Sequence, residues 1–348
     1  RIAYNLIAAF GSSSLRLSYA LALSDLILAP ATPSNTARVG GVIMPITTSL
    51  AKAFGSEPQD GPRKIGSFLM QSIYQVNTIT SAMFQTSMAG NTLVAALALQ
   101  SFGIGITWGD WAMAAIVPGI IALIIMPYFI YKVYPPEIKD AREAQQMIRE
   151  ELKGLGKMSF QEWVMLGVFV LALVLWATSQ FTKIDATTVA FLGISILLAT
   201  GVLIWDDVKS EKGAWDTLVW MGTLMGFAGF LSKLGFIKWA TVLVGGYIPE
   251  GSWIIAFVIA VLINTYSHYV FASLTAHISA MFVAFSAIAI SAGAPPMLTL
   301  LMIAFTSNLC MSLTHYAAGP SPVIFNTGYV PQNTWWKLGF FSSVINLI

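Results

Sequence analysis

Two five-residue phrases carry most of the chemistry in this chain. Ser34-Asn35-Thr36-Ala37-Arg38 and Ser273-Leu274-Thr275-Ala276-His277 each set a serine, a threonine and then a basic side chain at the same spacing. Hydroxyl and amide hydrogens at that spacing can donate to a carboxylate, and a nearby guanidinium or imidazolium strengthens such a contact. Two further stretches, "TSMAGN" with Thr86 and Asn91 and "THYAAGPSP" with Thr314 and Ser321, bring more polar groups into apolar surroundings. The candidate substrate-binding residues are therefore Ser34, Asn35, Thr36, Thr86, Asn91, Ser273, Thr275, Thr314 and Ser321, with Arg38 and His277 supplying charge. His268, His315, Tyr316 and Asn308 flank them in sequence.

The elements that must position these residues are membrane helices. Hydrophobic residues make up 56% of the 348 and charged ones 10%, with mean hydropathy +0.73, which excludes a water-soluble globular protein. A net charge of +2 without a basic strip gives no footing for nucleic acid. The one cysteine, Cys310, excludes an internal disulfide framework and a cysteine-based metal site. No cofactor is expected. The chain opens on Arg1 and ends at Ile348 within an apolar run, as expected for a piece of a longer polypeptide.

Uninterrupted runs fit spans at 111–133, 163–181, 185–205 and 215–232, and the start of a last span at 335–348. Each needs about 20 apolar residues to cross about 30 Å of hydrocarbon. Four other apolar regions are broken near their middles by Gly, Pro, Ser, Thr and Asn: 17–54, 66–104, 253–290 and 297–330. Between residues 134 and 162 lies a charged, partly helical, solvated connector, dividing a first repeat at 1–133 from a second at 163–348. Its lysines and arginines place it in the cytoplasm by the positive-inside rule. Counting outward puts 52–65 and 206–214 inside and 102–110, 245–252 and 291–296 outside, with Lys183, Lys233 and Lys238 as exceptions. The count closes only when 17–54 and 253–290 enter and leave on the same side, as re-entrant hairpins. The expected fold is an all-α polytopic membrane protein with inverted repeats, two re-entrant hairpins and two discontinuous helices.

Broken backbone at mid-membrane must line a protein-enclosed polar cavity, because its N–H and C=O groups cannot stay unpaired in lipid. Matching breaks in inverted halves point to a transport site. Restarting helix ends offer N–H groups and positive dipole to anions, and stopping ends offer carbonyls to cations. Two tips suit a solute with two carboxylates. Isolated Ser and Thr in membrane helices instead bond to their own backbone or join helices.

"PSNTARVGG" with "MFQTSMAGN", and "SHYVFASLTAH" with "LTHYAAGPSPVIFNTGY", resemble the divalent anion/sodium symporter family of dicarboxylate and citrate carriers. The likeness covers nearly the whole chain. It is closest to the antiporter branch, which includes citrate/succinate and tartrate/succinate exchangers and the plastid 2-oxoglutarate/malate translocator. The resemblance implies a homodimer, an elevator-type transport domain and a substrate held between two Ser-Asn-Thr tips, in a bacterial cell membrane or a plastid envelope. The second tip departs from the pattern, since Leu274 stands where an amide is expected. Spans expected before residue 1 and after 348 are also missing.

Sodium-coupled members that this chain resembles carry uncharged residues where Arg38 and His277 stand. An ionisable group costs ~2.5–3.5 kcal/mol at mid-membrane on insertion scales, so Arg38 is expected to replace a coupled cation, helped by His277, and to favour obligatory exchange. A structural ion pair between Arg38 and Asp25 is the plainer alternative. Sodium- or proton-driven symport of the same anions is the rival, and only there would Na+ take part. Three histidines in the second half invite a pH-sensitive site, but loose spacing with no thiol or carboxylate beside them argues against zinc. An intramembrane enzyme lacks a third orienting group for Ser273 and His277, and a channel fits paired closed tips poorly. Trp335 and Trp336, beside Lys337, read as interfacial anchors.

Overall fold

The computed structural model describes residues 1–235, 239 and 253–348. The expected outer loop 245–252 and Lys238 lie outside them. The described residues are built of helices, and five of these, Trp108–Val133, Phe160–Ala177, Trp253–Val270, Leu274–Ser291 and Pro296–Leu313, are long and apolar enough to cross a membrane.

Region 17–54 holds a helix Ser14–Leu28 and a 3-10 turn Ala29–Ala31. After a break at Thr32–Ser34, helix resumes at Asn35–Arg38 and continues through a π-helical stretch Val39–Ile43 to Met44–Ala53. Region 253–290 repeats that order: helix Trp253–Ser267, 3-10 turn His268–Val270, a break, and helix Leu274–Ser291. The two broken regions also share an order. The first is helix Gly66–Met83, 3-10 turn Gln85–Ser87 and helix Ala89–Phe102. The second is helix Pro296–Leu309, 3-10 turn Cys310–Leu313 and helix Pro320–Phe325.

Helix Gly66–Met83 is the centre of the molecule, and all its residues are buried. Helices Ser14–Leu28, Met44–Ala53, Trp108–Val133 and Pro296–Leu309 pack around it. Eight of its side chains are polar, from Ser67 to Ser81, so it is no lipid-facing span; Ser67, Thr78, Thr80 and Ser81 hydrogen-bond within the protein, while both amide atoms of Gln71 are buried without a partner. Trp108–Val133 carries two internal prolines, Pro118 and Pro127. Proline is tolerated in membrane helices where neighbours re-satisfy the freed backbone.

The peripheral elements differ from expectation. Ala186–Ala199 is a short apolar helix, followed by a turn and the helix Trp205–Ser210, so 185–205 does not run as one span. The connector is more than a solvated linker. Its helix Arg142–Gly154 buries Ala144, Gln145 and Ile148 against Ile2–Phe10. Gln145 and Arg149 donate to the Ala8 carbonyl at 2.9–3.1 Å, which ends that first helix. Exposed Asp140 bonds to Arg142, whose guanidinium holds the carboxyl down at about 2. Trp335 is not an interfacial anchor: within the helix Gln332–Leu347 it is fully buried, its ring 4.4 Å from that of Tyr74.

Candidate functional site

At each hairpin tip the sequence breaks helix and restarts it on a serine. Ser34 accepts from the Ala37 N–H at 3.2 Å and Ser273 from the Ala276 N–H at 3.3 Å, both in extended backbone, the geometry of an N-cap. Burial follows the same order at both: the serine exposed, Asn35 or Leu274 buried, Thr36 or Thr275 half-buried, Arg38 or His277 buried. The two phrases thus sit in one register. The Asn35 amide faces the Met311 sulfur at 3.7 Å, a contact that Leu274 cannot reproduce. The first tip rests on the second break, because a Cβ at Gly319 would stand 2.2 Å from the Thr36 hydroxyl oxygen.

Arg38 is 0% exposed and all five of its N–H donors are engaged. Nε donates to Asp25 at 3.0 Å, Nη1 to the carbonyls of Thr32 at 3.1 Å and Ser87 at 3.0 Å, and Nη2 to the hydroxyls of Thr80 and Ser81 at 3.3 Å. Asp25 in turn accepts from Asn77 and Thr80. The pairing with Asp25 balances the guanidinium charge, and the carbonyls it holds end the first hairpin's entering arm and the 3-10 turn at the first break. Carbonyls at stopping helix ends are groups able to coordinate a cation, and here the guanidinium takes them.

The second half keeps this layout without the ion pair. Asn264 precedes Ser273 by the interval that separates Asp25 from Ser34. It donates to Thr306 and Ser307 at 3.2 Å, as Asp25 meets Thr80. Buried His277 contacts Ser267 Oγ through Nε2 at 3.1 Å. His268 donates from Nε2 to the Ala317 carbonyl at 2.8 Å, with its ring centroid 4.8 Å from that of His277. His315 stands apart, accepting from Trp336 Nε1 at 2.9 Å and lying on Phe325. Tyr316 donates to the Tyr269 carbonyl at 2.8 Å, tying the second break to the second hairpin.

Several candidates hold the breaks together. Asn91 donates to the carbonyls of Ser81 and Phe84 at 2.8 and 2.9 Å and accepts from Asn308 at 2.7 Å, which links the two broken regions. Thr86 donates to the Pro30 carbonyl at 2.5 Å and accepts from Trp108 at 3.0 Å. Ser321 meets Tyr74 at 2.8 Å and accepts from the Ala318 N–H. The Thr314 hydroxyl is buried and unpartnered. Besides that hydroxyl, what remains open toward a ligand is the set at the tips: the second amide hydrogen of Asn35 and the hydroxyls of Ser34, Thr36, Ser273 and Thr275.

Tyr74, Asn77, Thr80, Ser81 and Cys310 complete this centre and were not among the sequence candidates. The signal for the first four was the polar density of 66–83, which lies far above that of the lipid-facing spans.

Broken helices and paired tips held in one register around buried polar groups narrow the comparison to carriers. The model of the sodium:sulfate symporter transmembrane region matches residues 1–348. The chain belongs to this family. A member of the sodium:sulfate symporter family is a multi-pass membrane transporter and not an enzyme. The putative malate transporter YflS of Bacillus subtilis is 51% identical over all of this chain and 73% of its own length. Dicarboxylate transporter 1, chloroplastic, of Spinacia oleracea is 45% identical over all of this chain and 62% of its own. The inner membrane protein YbhI of Escherichia coli is 42% identical, again over all of this chain and 73% of its own. The chain thus spans 62–73% of the length of these family relatives.

Proposed function

We propose that this chain is the transport unit of a secondary exchanger of dicarboxylates such as succinate, malate, fumarate or 2-oxoglutarate, or of citrate, working without Na+. Names of the relatives support the substrate class, as malate and dicarboxylate transporters. The observation that carries exchange is the guanidinium of Arg38 between the carbonyls of Thr32 and Ser87, where a coupled cation would need those oxygens. Asp25 offsets its charge, so replacement rests on occupied place rather than on net charge. The substrate's carboxylates bind Ser34, Asn35 and Thr36 at one tip and Ser273 and Thr275 at the other, with His277 beside the second. Inverted repeats, a homodimer and elevator motion of the hairpins with the broken helices follow as parts of the same proposal.

A Na+- or H+-coupled symporter of the same anions is the second reading, favoured by the second tip, where Asn264 and His277 replace the ion pair. Reconstituted full-length protein decides between them. Exchange requires internal dicarboxylate and is indifferent to Na+ and to a pH gradient; uptake into empty vesicles driven by either gradient overturns it.

A further inference from the structure

His268, His277 and Cys310 come from three separate elements: the turn ending the second hairpin's entering arm, the first turn of its leaving arm, and the 3-10 turn at the second break. All three are 0% exposed. A ring nitrogen of each histidine and the Cys310 sulfur lie within 4.8 Å of one another. The fold thus supplies the two histidines with a thiol that sequence distance hides, which removes the ground for excluding zinc.

Hydrogen bonding fixes both imidazoles in one tautomer. His268 Nε2 must donate, because its partner is the Ala317 carbonyl. Ser267 gives its hydroxyl hydrogen to the Asn264 carbonyl at 3.0 Å, so its oxygen accepts from His277 Nε2. Each neutral ring is left with a bare lone pair on Nδ1, and both Nδ1 atoms are buried without a partner. Two orphaned acceptors in one core cluster are costly and call for a ligand. An imidazole whose far N–H is pinned to a backbone carbonyl or hydroxyl, with its other nitrogen free, is the usual state of a metal-binding histidine.

We propose that His268, His277 and Cys310 form a binding site for a borderline-soft divalent metal ion, with zinc the best fit. Nitrogen and sulfur donors suit zinc and reject Na+, Mg2+ and Ca2+. Bond lengths of about 2.1 Å to nitrogen and 2.3 Å to sulfur put tetrahedral ligands roughly 3.5 Å apart, so the cluster must contract by about an ångström. On binding, the Cys310 thiol releases its proton to solvent, gives up its bond to the Ser307 carbonyl, and coordinates as thiolate; water fills the fourth position. The metal then fastens the second hairpin to the second broken helix beside the Ser273 tip. The consequence for transport, slower exchange, rests on the proposed function; the site itself does not.

Purified full-length protein, stripped with a chelator, is titrated with Co2+ alone and with Zn2+ alone. Co2+ is expected to give a thiolate-to-metal charge-transfer band, and Zn2+ to raise the melting temperature, with Cys310→Ser abolishing the band and weakening Zn2+ binding at least tenfold. His268→Asn weakens it similarly. Absence of the cobalt band from the wild-type protein overturns the site, and this needs no variant to fold. Zn2+ binding equally tightly to Cys310→Ser overturns it as well. In vesicles Zn2+ is expected to slow carboxylate exchange by the wild type and not by Cys310→Ser. Cobalt bound through Cys310 in a protein that moves no carboxylate without metal keeps the site and sinks the transport reading.

Discussion

Arg38 leaves no donor for a ligand, so its contribution is to bind the first hairpin to the first break and to occupy the space between Thr32 and Ser87. Removing one side of a buried ion pair leaves the other uncompensated, at a cost of about 3–5 kcal/mol. Arg38→Ala and Asp25→Asn are each expected to lower the melting temperature strongly, while the double variant Asp25→Asn with Arg38→Ala falls well short of the sum. Additive losses in that thermal-unfolding cycle contradict the coupling. Arg38→Lys is expected to behave more like Arg38→Ala than like the wild type, since an ammonium cannot span the carbonyls, hydroxyls and carboxylate that the planar fork reaches. At the tip, Gly319→Ala drives a methyl into the Thr36 hydroxyl, 2.2 Å from where its Cβ would stand. Substrate affinity should drop several-fold, read as a smaller carboxylate-dependent thermal shift measured from the variant's own ligand-free melting temperature, which the overpacking lowers. The tips were legible in the sequence because a serine before a helical restart declares its cap, and because Arg38 and His277 recur at the same interval. The pairing of Cys310 with His268 and His277 was not, since nothing in spacing shows that a 3-10 turn carries residue 310 to the second hairpin.

Among the elements, the helix Gly66–Met83 governs. It touches both hairpin arms of the first half and both breaks, and Trp111 caps its end by donating to the Ala82 carbonyl at 2.8 Å. Trp111→Phe removes the buried pyrrole ring with its N–H and orphans that carbonyl, so a cavity term adds to a loss of about 1–3 kcal/mol from the broken hydrogen bond, read as a lower melting temperature. At its other end Gly66 lies under Tyr329, where a Cβ would meet the ring at 2.2 Å. Gly66→Ala is therefore an overpacking change, expected to cost roughly 1–3 kcal/mol, and unfolding at the wild-type temperature would contradict the packing. The breaks at 84–88 and 310–319 were readable from Gly, Ser, Thr and Asn inside apolar runs. Their repair was not: Asn91 and Ser321 look like ligand donors in sequence, and the fold uses them to satisfy backbone and Tyr74. Trp335 misled for a related reason, because a tryptophan near a lysine has the composition of an interface while its burial depends on Tyr74 from a distant helix.

For the whole molecule, the first tip meets the second break through Gly319 and Met311, and the second hairpin's leaving arm packs on the helix after the first break. Asn91 and Asn308 join the broken regions. One polar centre therefore draws on all four interrupted segments, with a fixed ion pair on the first side and an uncharged counterpart on the second. The connector, whose Gln145 donates to the Ala8 carbonyl and whose Leu155 and Gly156 carbonyls accept from Arg1, braces the outside of the first half. The most direct test of the central claim is counterflow by full-length protein in vesicles, comparing external dicarboxylate uptake with and without internal dicarboxylate, in Na+ and in choline. Uptake that needs the internal anion and is equal in both salts is the predicted result; Na+-dependent uptake into vesicles empty of anion contradicts it.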